Sequence, residues 1–373
     1  MILGQILTVG TSLVAGLVAG FVMHRSDFCM AGMFRDLYLF RSTFMLRILA
    51  LLVVISMATF EVVRLLGQVS LFPFPGFGAP AITTVAGGVL FGIGMVLAGG
   101  CVAGTLSKMG AGNPVSAAAF VGLLAGSALY AELYPFWAPL AAKTRLRPGF
   151  ETVSGMLGIP QGALVSAVLL VMALPVIRWW RAGLLTRKSY SSGYVQPWCA
   201  ALLLVVVGSV SVVVIGVPLG ITTSYSKIGA WVLQWFIPEH IQGLDYFKTM
   251  PFRYDNLFLD ISYSGGPGPQ TDSISLVQFP LLIGLVGGGL LSSLLVREFR
   301  IYWQVPLRQV LSGLFGGLLM GLAARMAPGC NLWHLLGGLP VLATQSILFV
   351  LGLLPGALIG CRMLTGIVLK EAH

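Results

Sequence analysis

The stretch Gly87–Ser116, GGVLFGIGMVLAGGCVAGTLSKMGAGNPVS, returns in degenerate form from Gly316 as GGLLMGLAARMAPGCNLWHLLGGLPVL. In each copy a Gly-Gly pair is followed by twelve residues and then a cysteine, Cys101 in the first and Cys330 in the second, at a constant offset of 229. Gly92 matches Gly321 and Gly100 matches Gly329 at that same offset. Beyond the cysteines the copies resume as Gly112-x-Pro114-Val115 and Gly338-x-Pro340-Val341, the second shorter by three residues. A shared spacing of this kind marks an internal repeat, which constrains the fold more than any single motif does.

The repeat lies in a chain of 373 residues, 57% of them hydrophobic and only 9% charged. Long runs almost free of charge identify an all-α polytopic membrane protein. The start, MILGQILTVGTSLVAGLVAG, has neither a basic leader nor a small-residue cleavage site, so it is read as a retained span. The net charge of +10 is no nucleic-acid signal, because the basic residues sit between apolar runs where membrane topology places them. Five cysteines without framework spacing, most of them in or beside apolar runs, are read as free thiols.

Nine runs are long enough, or nearly so, to cross ~30 Å of hydrocarbon: 4–23, 44–66, 82–99, 114–136, 160–180, 198–219, 278–296, 308–327 and 341–364. Four shorter apolar, Gly/Ser-rich stretches, 28–40, 101–112, 222–236 and 330–339, suit half-helices that dip in and return, which a bilayer tolerates only where protein buries them or a cavity adjoins them. The order is four spans, one connector and four spans. An odd connector turns the second half over, so the halves 1–140 and 195–373, joined by 141–194 with the fifth span, are expected to be inverted repeats about a midplane site. Gly16 and Gly20 precede Cys29 as Gly88 and Gly92 precede Cys101, and IGVPLGITTSYSKIGAW completes a fourth unit with Thr223 and Tyr225 in place of a thiol.

Of the 22 Lys and Arg residues, 14 fall on the side reached after odd-numbered spans and 8 on the other. The positive-inside rule then puts the amino terminus outside and the carboxyl terminus in the cytoplasm. The polar, Gly/Pro-rich segment 237–277 is expected outside, with no identifiable chemistry.

Each repeat cysteine is expected to open a half-helix. The first amides of a helix lack internal partners and carry partial positive charge, so a helix start within a membrane is an anion site. A thiol there suits a soft, sulfur-bearing anion better than sulfate or phosphate. Cysteine is also a small buried hydrophobe, and that is the reading for Cys199 and Cys361, which lie mid-span without repeat partners. Cys29, Cys101 and Cys330 are the candidates for transport. Gly100 and Gly329 would let backbones approach each other, whereas Gly87, Gly88, Gly316 and Gly317 suit close helix packing. Lys108 is a snorkelling anchor or an anion ligand. His334, four residues after Cys330, can share its face of the half-helix and is read as a hydrogen-bonding residue before a proton carrier. Asn331 and Asn113 are read as turn or cap residues. No HExxH, CxxC, P-loop or Rossmann pattern occurs, which leaves metal, dithiol and nucleotide enzymes without support and calls for no cofactor.

RSDFCMAG, GIGMVLAGGCVAGT and APGCNLWHLLGG are similar to the three cysteine motifs of the YeeE/YedE sulfur-transport family. The resemblance implies an hourglass pinched at its centre, uptake of thiosulfate across the bacterial inner membrane, and passage of the ion along Cys29, Cys101 and Cys330. It also implies a small cytoplasmic TusA-like sulfur-carrier protein as partner. Family members linked to other sulfur or selenium species leave the substrate open within that class. The segment 237–277 is not matched to the family pattern by these motifs. Two rivals stand beside the importer: a membrane sulfurtransferase that forms a cysteine persulfide, and a channel for another small solute in which the cysteines only pack.

Overall fold

The computed structural model describes residues 2–69, 72–189 and 193–368. The carboxyl terminus, and with it Lys370, lies outside the described residues. The chain runs through α1 (Ile2–Ser26), α2 (Met30–Leu39), α3 (Phe44–Leu65), α4 (Thr83–Leu97), α5 (Val102–Gly110) and α6 (Pro114–Lys143). It continues through α7 (Val153–Leu157), α8 (Gln161–Arg181), α9 (Pro197–Val214), α10 (Thr222–Gln234), α11 (Pro238–Gly243) and α12 (Asp245–Lys248). A β-hairpin, β1 (Phe252–Asn256) and β2 (Ile261–Gly265), leads into α13 (Ser273–Leu295) and α14 (Leu307–Met326). A π-helical segment, Leu332–Gly338, and a 3-10 turn, Leu339–Val341, precede α15 (Thr344–Met363).

Among the described residues nine helices are long and apolar enough to cross a membrane, and each overlies one expected span. The four short stretches become α2, α5, α10 and the π-helical segment. Three boundaries differ. The fourth span was expected to stop at 136, yet α6 runs to Lys143 and carries Pro135 and Pro139 inside it, so the boundary at 140 falls within a helix. The sixth was expected to reach 219, but α9 stops at Val214, because Gly216 takes a φ of 90° and Pro218 follows. The seventh begins early, at Ser273, where Asp272 accepts from the Ser275 amide and the Ser275 hydroxyl closes a capping box.

Glycine sets how the helices meet. A methyl on Gly88 of α4 would strike the carbonyl oxygen of Phe349 in α15, and one on Gly317 of α14 would strike that of Ala119 in α6. One turn later Gly92 faces the Leu353 carbonyl and Gly321 the Leu123 carbonyl. The contacts also run backwards: Gly352 meets the Val85 carbonyl, and Gly122 meets the Leu314 carbonyl. The α4–α15 and α6–α14 pairs therefore use the same glycines in exchanged roles. α4 and α14 meet where Gly94 lies against Gly316. α1 packs on α13 by the same device, with Gly16 and Gly20 against the Leu281 and Leu285 carbonyls. Such backbone contact gives helices dispersion and weak hydrogen bonds where lipid offers no hydrophobic drive.

α8 stands apart. Only 11% of its apolar window is buried within the protein, and it leans chiefly on α3. Segment 237–277 is ordered by specific polar anchors. Tyr254 and Tyr263 stack across the hairpin, 5.1 Å between ring centres. The Tyr263 hydroxyl lies 2.6 Å from Thr8 Oγ1 of α1, and Asn256 donates to the Val214 carbonyl. Burial pushes both tyrosine phenols up, so the pair stays neutral. Lys227, fully buried on α10, donates to the Gly268 and Gln270 carbonyls and to Asp272 at 2.7 Å.

Candidate functional site

Cys29 and Cys101 occupy the N-cap positions of α2 and α5, both in extended backbone. Cys330 opens the π-helical segment, its carbonyl accepting from the His334 amide at 2.9 Å. All five cysteines are free thiols, as the spacing suggested. The Gly104 amide donates to Cys101 Sγ at 3.5 Å, a sulfur doing what a Ser or Asp oxygen usually does at a helix start.

The thiols form a series. Cys29 and Cys101 face the same small space beside Gly104: a methyl there would stand 3.5 Å from one sulfur and 3.6 Å from the other. Tyr225 is fully buried, its hydroxyl unpartnered, within electrostatic range of both Cys101 and Cys330. Cys29 lines a cavity of about 430 Å³ together with Lys108, Arg25, Asn113 and Tyr302. This cavity opens among the α1–α2, α5–α6 and α13–α14 connections, here called the basic face. Cys101 and Cys330 are 1% and 2% exposed and do not line it.

The opposite end, the hairpin face, is filled by aromatic rings. Trp333 stacks on Phe77 at 4.6 Å and takes the edge of Phe252 from β1. The cleft left beside Trp333 and Gly220 is about 20 Å³, room for a single water.

The other expected residues separate. Lys108 lines the cavity and donates to the Gly99 carbonyl at 2.7 Å, so its ammonium is held at the loop preceding Cys101. Gly329 has a φ of 134° and lies against Trp333 and His334, where no larger residue fits. Gly100 does not make the close approach expected of it: a β-carbon there finds neighbours at 3.4 Å or more, and the turn is carried by Gly99 at a φ of 69°. Asn113 caps α6 through the Ser116 amide. Asn331 caps nothing. It is buried, its amide directed at Met95 Sδ and its carbonyl oxygen unpartnered. His334 bonds Ser346 through Nδ1 at 3.0 Å and stacks on Phe349 at 4.2 Å, which leaves Nε2 unpartnered beside Gly329. Cys199 and Cys361 are on α9 and α15, away from the series.

Arg325 is one of the eight Lys and Arg residues counted on the side reached after even-numbered spans, and the count did not single it out. It is buried at the end of α14, bonded to the Thr222 and Thr223 hydroxyls. The available signal was a lone arginine, five positions before Cys330, in an apolar span.

Residues 25–359 match the family model described as sulphur transport. The chain is 26% identical over 365 residues to the thiosulfate transporter TsuA of Spirochaeta thermophila, covering 92% of this chain and 96% of that one. It is 41% identical over 102 residues to TsuA of Escherichia coli, 27% of this chain and 28% of the relative. The probable transporter YedE of Salmonella typhimurium is 30% identical over 185 residues, 48% of this chain and 44% of that one. With its nine apolar spans and a family match over almost its whole length, this chain belongs to the sulphur transport family, as a multi-pass membrane transporter and not an enzyme.

Proposed function

We propose that this protein imports thiosulfate across the bacterial inner membrane, handing the ion's terminal sulfur along Cys330, Cys101 and Cys29. The observation that carries this reading is the set of thiols: three sulfurs from three helix starts, two of them facing the same space beside Gly104, with Cys29 lining a cavity on the basic face. Helix-start amides offset the anion's charge in a low dielectric without holding it as a fixed cation would. A thiol donates only a weak S–H hydrogen bond, and several weak sites in series let an ion leave as readily as it enters. Two relatives named as thiosulfate transporters support the choice of ion. The Lys and Arg asymmetry supports a cytoplasmic basic face, where Lys108 holds the exit and a TusA-like sulfur carrier would meet the ion. The exchanged glycine contacts of α4–α15 and α6–α14 support halves related by a two-fold axis in the membrane plane.

The test is uptake by proteoliposomes of thiosulfate labelled on both sulfurs. Both labels should accumulate in equal amounts. Arrival of the terminal sulfur alone, with a persulfide on one cysteine, would overturn the reading.

A further inference from the structure

Arg325 is 9% exposed and sits at the amino-terminal end of α10, where its Nη1 donates to Thr223 Oγ1 at 3.3 Å and its Nη2 to Thr222 Oγ1. Its Nε has no partner, and no acid among the described residues pairs with it. The start of a helix already carries partial positive charge. A guanidinium placed against it is repelled, and burying that guanidinium costs several kcal/mol more unless an anion answers it. The other buried cation of this region, Lys227, has such an answer in Asp272 at 2.7 Å. Arg325 therefore has no role as half of a structural ion pair.

Its surroundings point to a ligand. Arg325 is within electrostatic range of the Cys330 thiol. Tyr225, one turn along α10 from Thr222 and so on the same helical face, is fully buried with an unpartnered hydroxyl, within electrostatic range of Cys330 and Cys101. Asn331, beside Cys330, has an unpartnered carbonyl oxygen, and its amide faces the soft sulfur of Met95. Arg325 and the Thr222 and Thr223 hydroxyls are hard donors, whereas Cys330 offers a soft one. A guanidinium fork and two hydroxyls match the planar edge of an oxyanion, whereas a thiol matches bare sulfur.

We propose that Arg325, with the Thr222 and Thr223 hydroxyls, is the subsite for the oxygen end of a sulfur oxyanion, which orients the ion with its bare sulfur toward Cys330 and Cys101. The inference rests on the thiosulfate reading above and adds to it the residue that selects an ion with an oxygen end. Neutral sulfur compounds and hydrosulfide have nothing to offer this subsite.

The experiment measures influx of labelled thiosulfate into proteoliposomes holding wild type, Arg325→Lys or Arg325→Gln, with protein level and Tm recorded for each. The glutamine variant should raise KM on the order of 30-fold or more, the loss expected when one member of a buried charged contact is removed. Lysine keeps the charge and loses the fork, so its KM should fall between. Methanesulfonate, with oxygens and no bare sulfur, should inhibit wild type and lose that effect in Arg325→Gln. Hydrosulfide, with sulfur and no oxygens, should inhibit both alike. An unchanged KM in Arg325→Gln, or unchanged inhibition by methanesulfonate, overturns the subsite. If Arg325→Gln does not reach the membrane, Thr222→Val/Thr223→Val, which leaves the arginine in place, decides by the same KM and inhibition criteria. Absence of thiosulfate influx in wild type is a separate result, and it defeats the transport reading instead.

Discussion

The sulfurs of Cys29 and Cys101, each at the N-cap of its own helix, both face Gly104, where an added methyl would stand 3.5 Å from one and 3.6 Å from the other. Two helix starts thereby present their sulfurs to one small space.

Serine at Cys29, Cys101 or Cys330 keeps size and a hydroxyl donor but offers bare sulfur a poor partner. Each variant should lose about ten-fold or more of uptake, equivalent to about 1.4 kcal/mol, at normal membrane level. Cys199→Ser and Cys361→Ser should transport as wild type does. Thiosulfate-dependent growth of a host lacking other sulfur import, with immunoblots of the membrane fraction, reads both outcomes. Normal growth of all three serine variants at the series would sink the relay.

Gly104→Ala tests the width of the pinch. The added methyl meets both sulfurs at ordinary van der Waals distance, 3.5 and 3.6 Å, so the fold should tolerate it, with Tm within a few degrees of wild type. Uptake should fall severalfold because the methyl occupies the space the ion needs beside both thiols. Unchanged uptake would place the path elsewhere.

The spans and half-helices were legible because their apolar lengths and glycine spacing follow directly from bilayer thickness and helix contact. The convergence of Cys29 with Cys101 was legible only as a shared pattern, since sequence gives no distance between two half-helices. The burial of Arg325 and Lys227 was not legible, because a charge count assigns a side of the membrane and gives no partners: two threonines for Arg325, and Asp272 with two carbonyls for Lys227. The hairpin was missed because no periodicity marks two five-residue strands whose order comes from Tyr254, Tyr263 and Asn256 holding to α1 and α9. Gly100 was singled out by its repeat position, yet the neighbouring Gly99 makes the turn.

The glycine contacts predict equal sensitivity in the two halves. Gly88→Ala and Gly317→Ala each drive a methyl into a carbonyl oxygen of the partner helix. Each should cost about 1–3 kcal/mol and lower Tm in detergent by a similar amount. A large loss in one and none in the other would argue against the exchange of roles between α4–α15 and α6–α14.

Lys227 and Asp272 form a buried pair at 2.7 Å. Lys227→Met leaves Asp272 buried without its partner and should destabilise by about 3–5 kcal/mol. The double variant Lys227→Met/Asp272→Asn should recover part of that loss, read as Tm in a double-mutant cycle. Additive losses would mean that Lys227 acts through the Gly268 and Gln270 carbonyls alone.

Orientation can be read at the hairpin turn, where Leu257 is exposed. A Leu257→Cys variant in a background without other cysteines should react in whole cells with a membrane-impermeant maleimide. Reaction only after the cells are opened would invert the topology.

The near-isolation of α8 bears on biogenesis. A helix with so little protein contact along its length cannot depend on later packing to hold it in the bilayer. It must leave the translocon into lipid on its own hydropathy while the rest of the chain is still being made. Arg178 and Arg181 in its last turn join Arg187 and Lys188 in favouring the basic face for that end of the helix. Uncharged residues at all four positions would leave every side chain of the thiol series unaltered, yet should lower the share of chains in which the helices after α8 are threaded from the correct side.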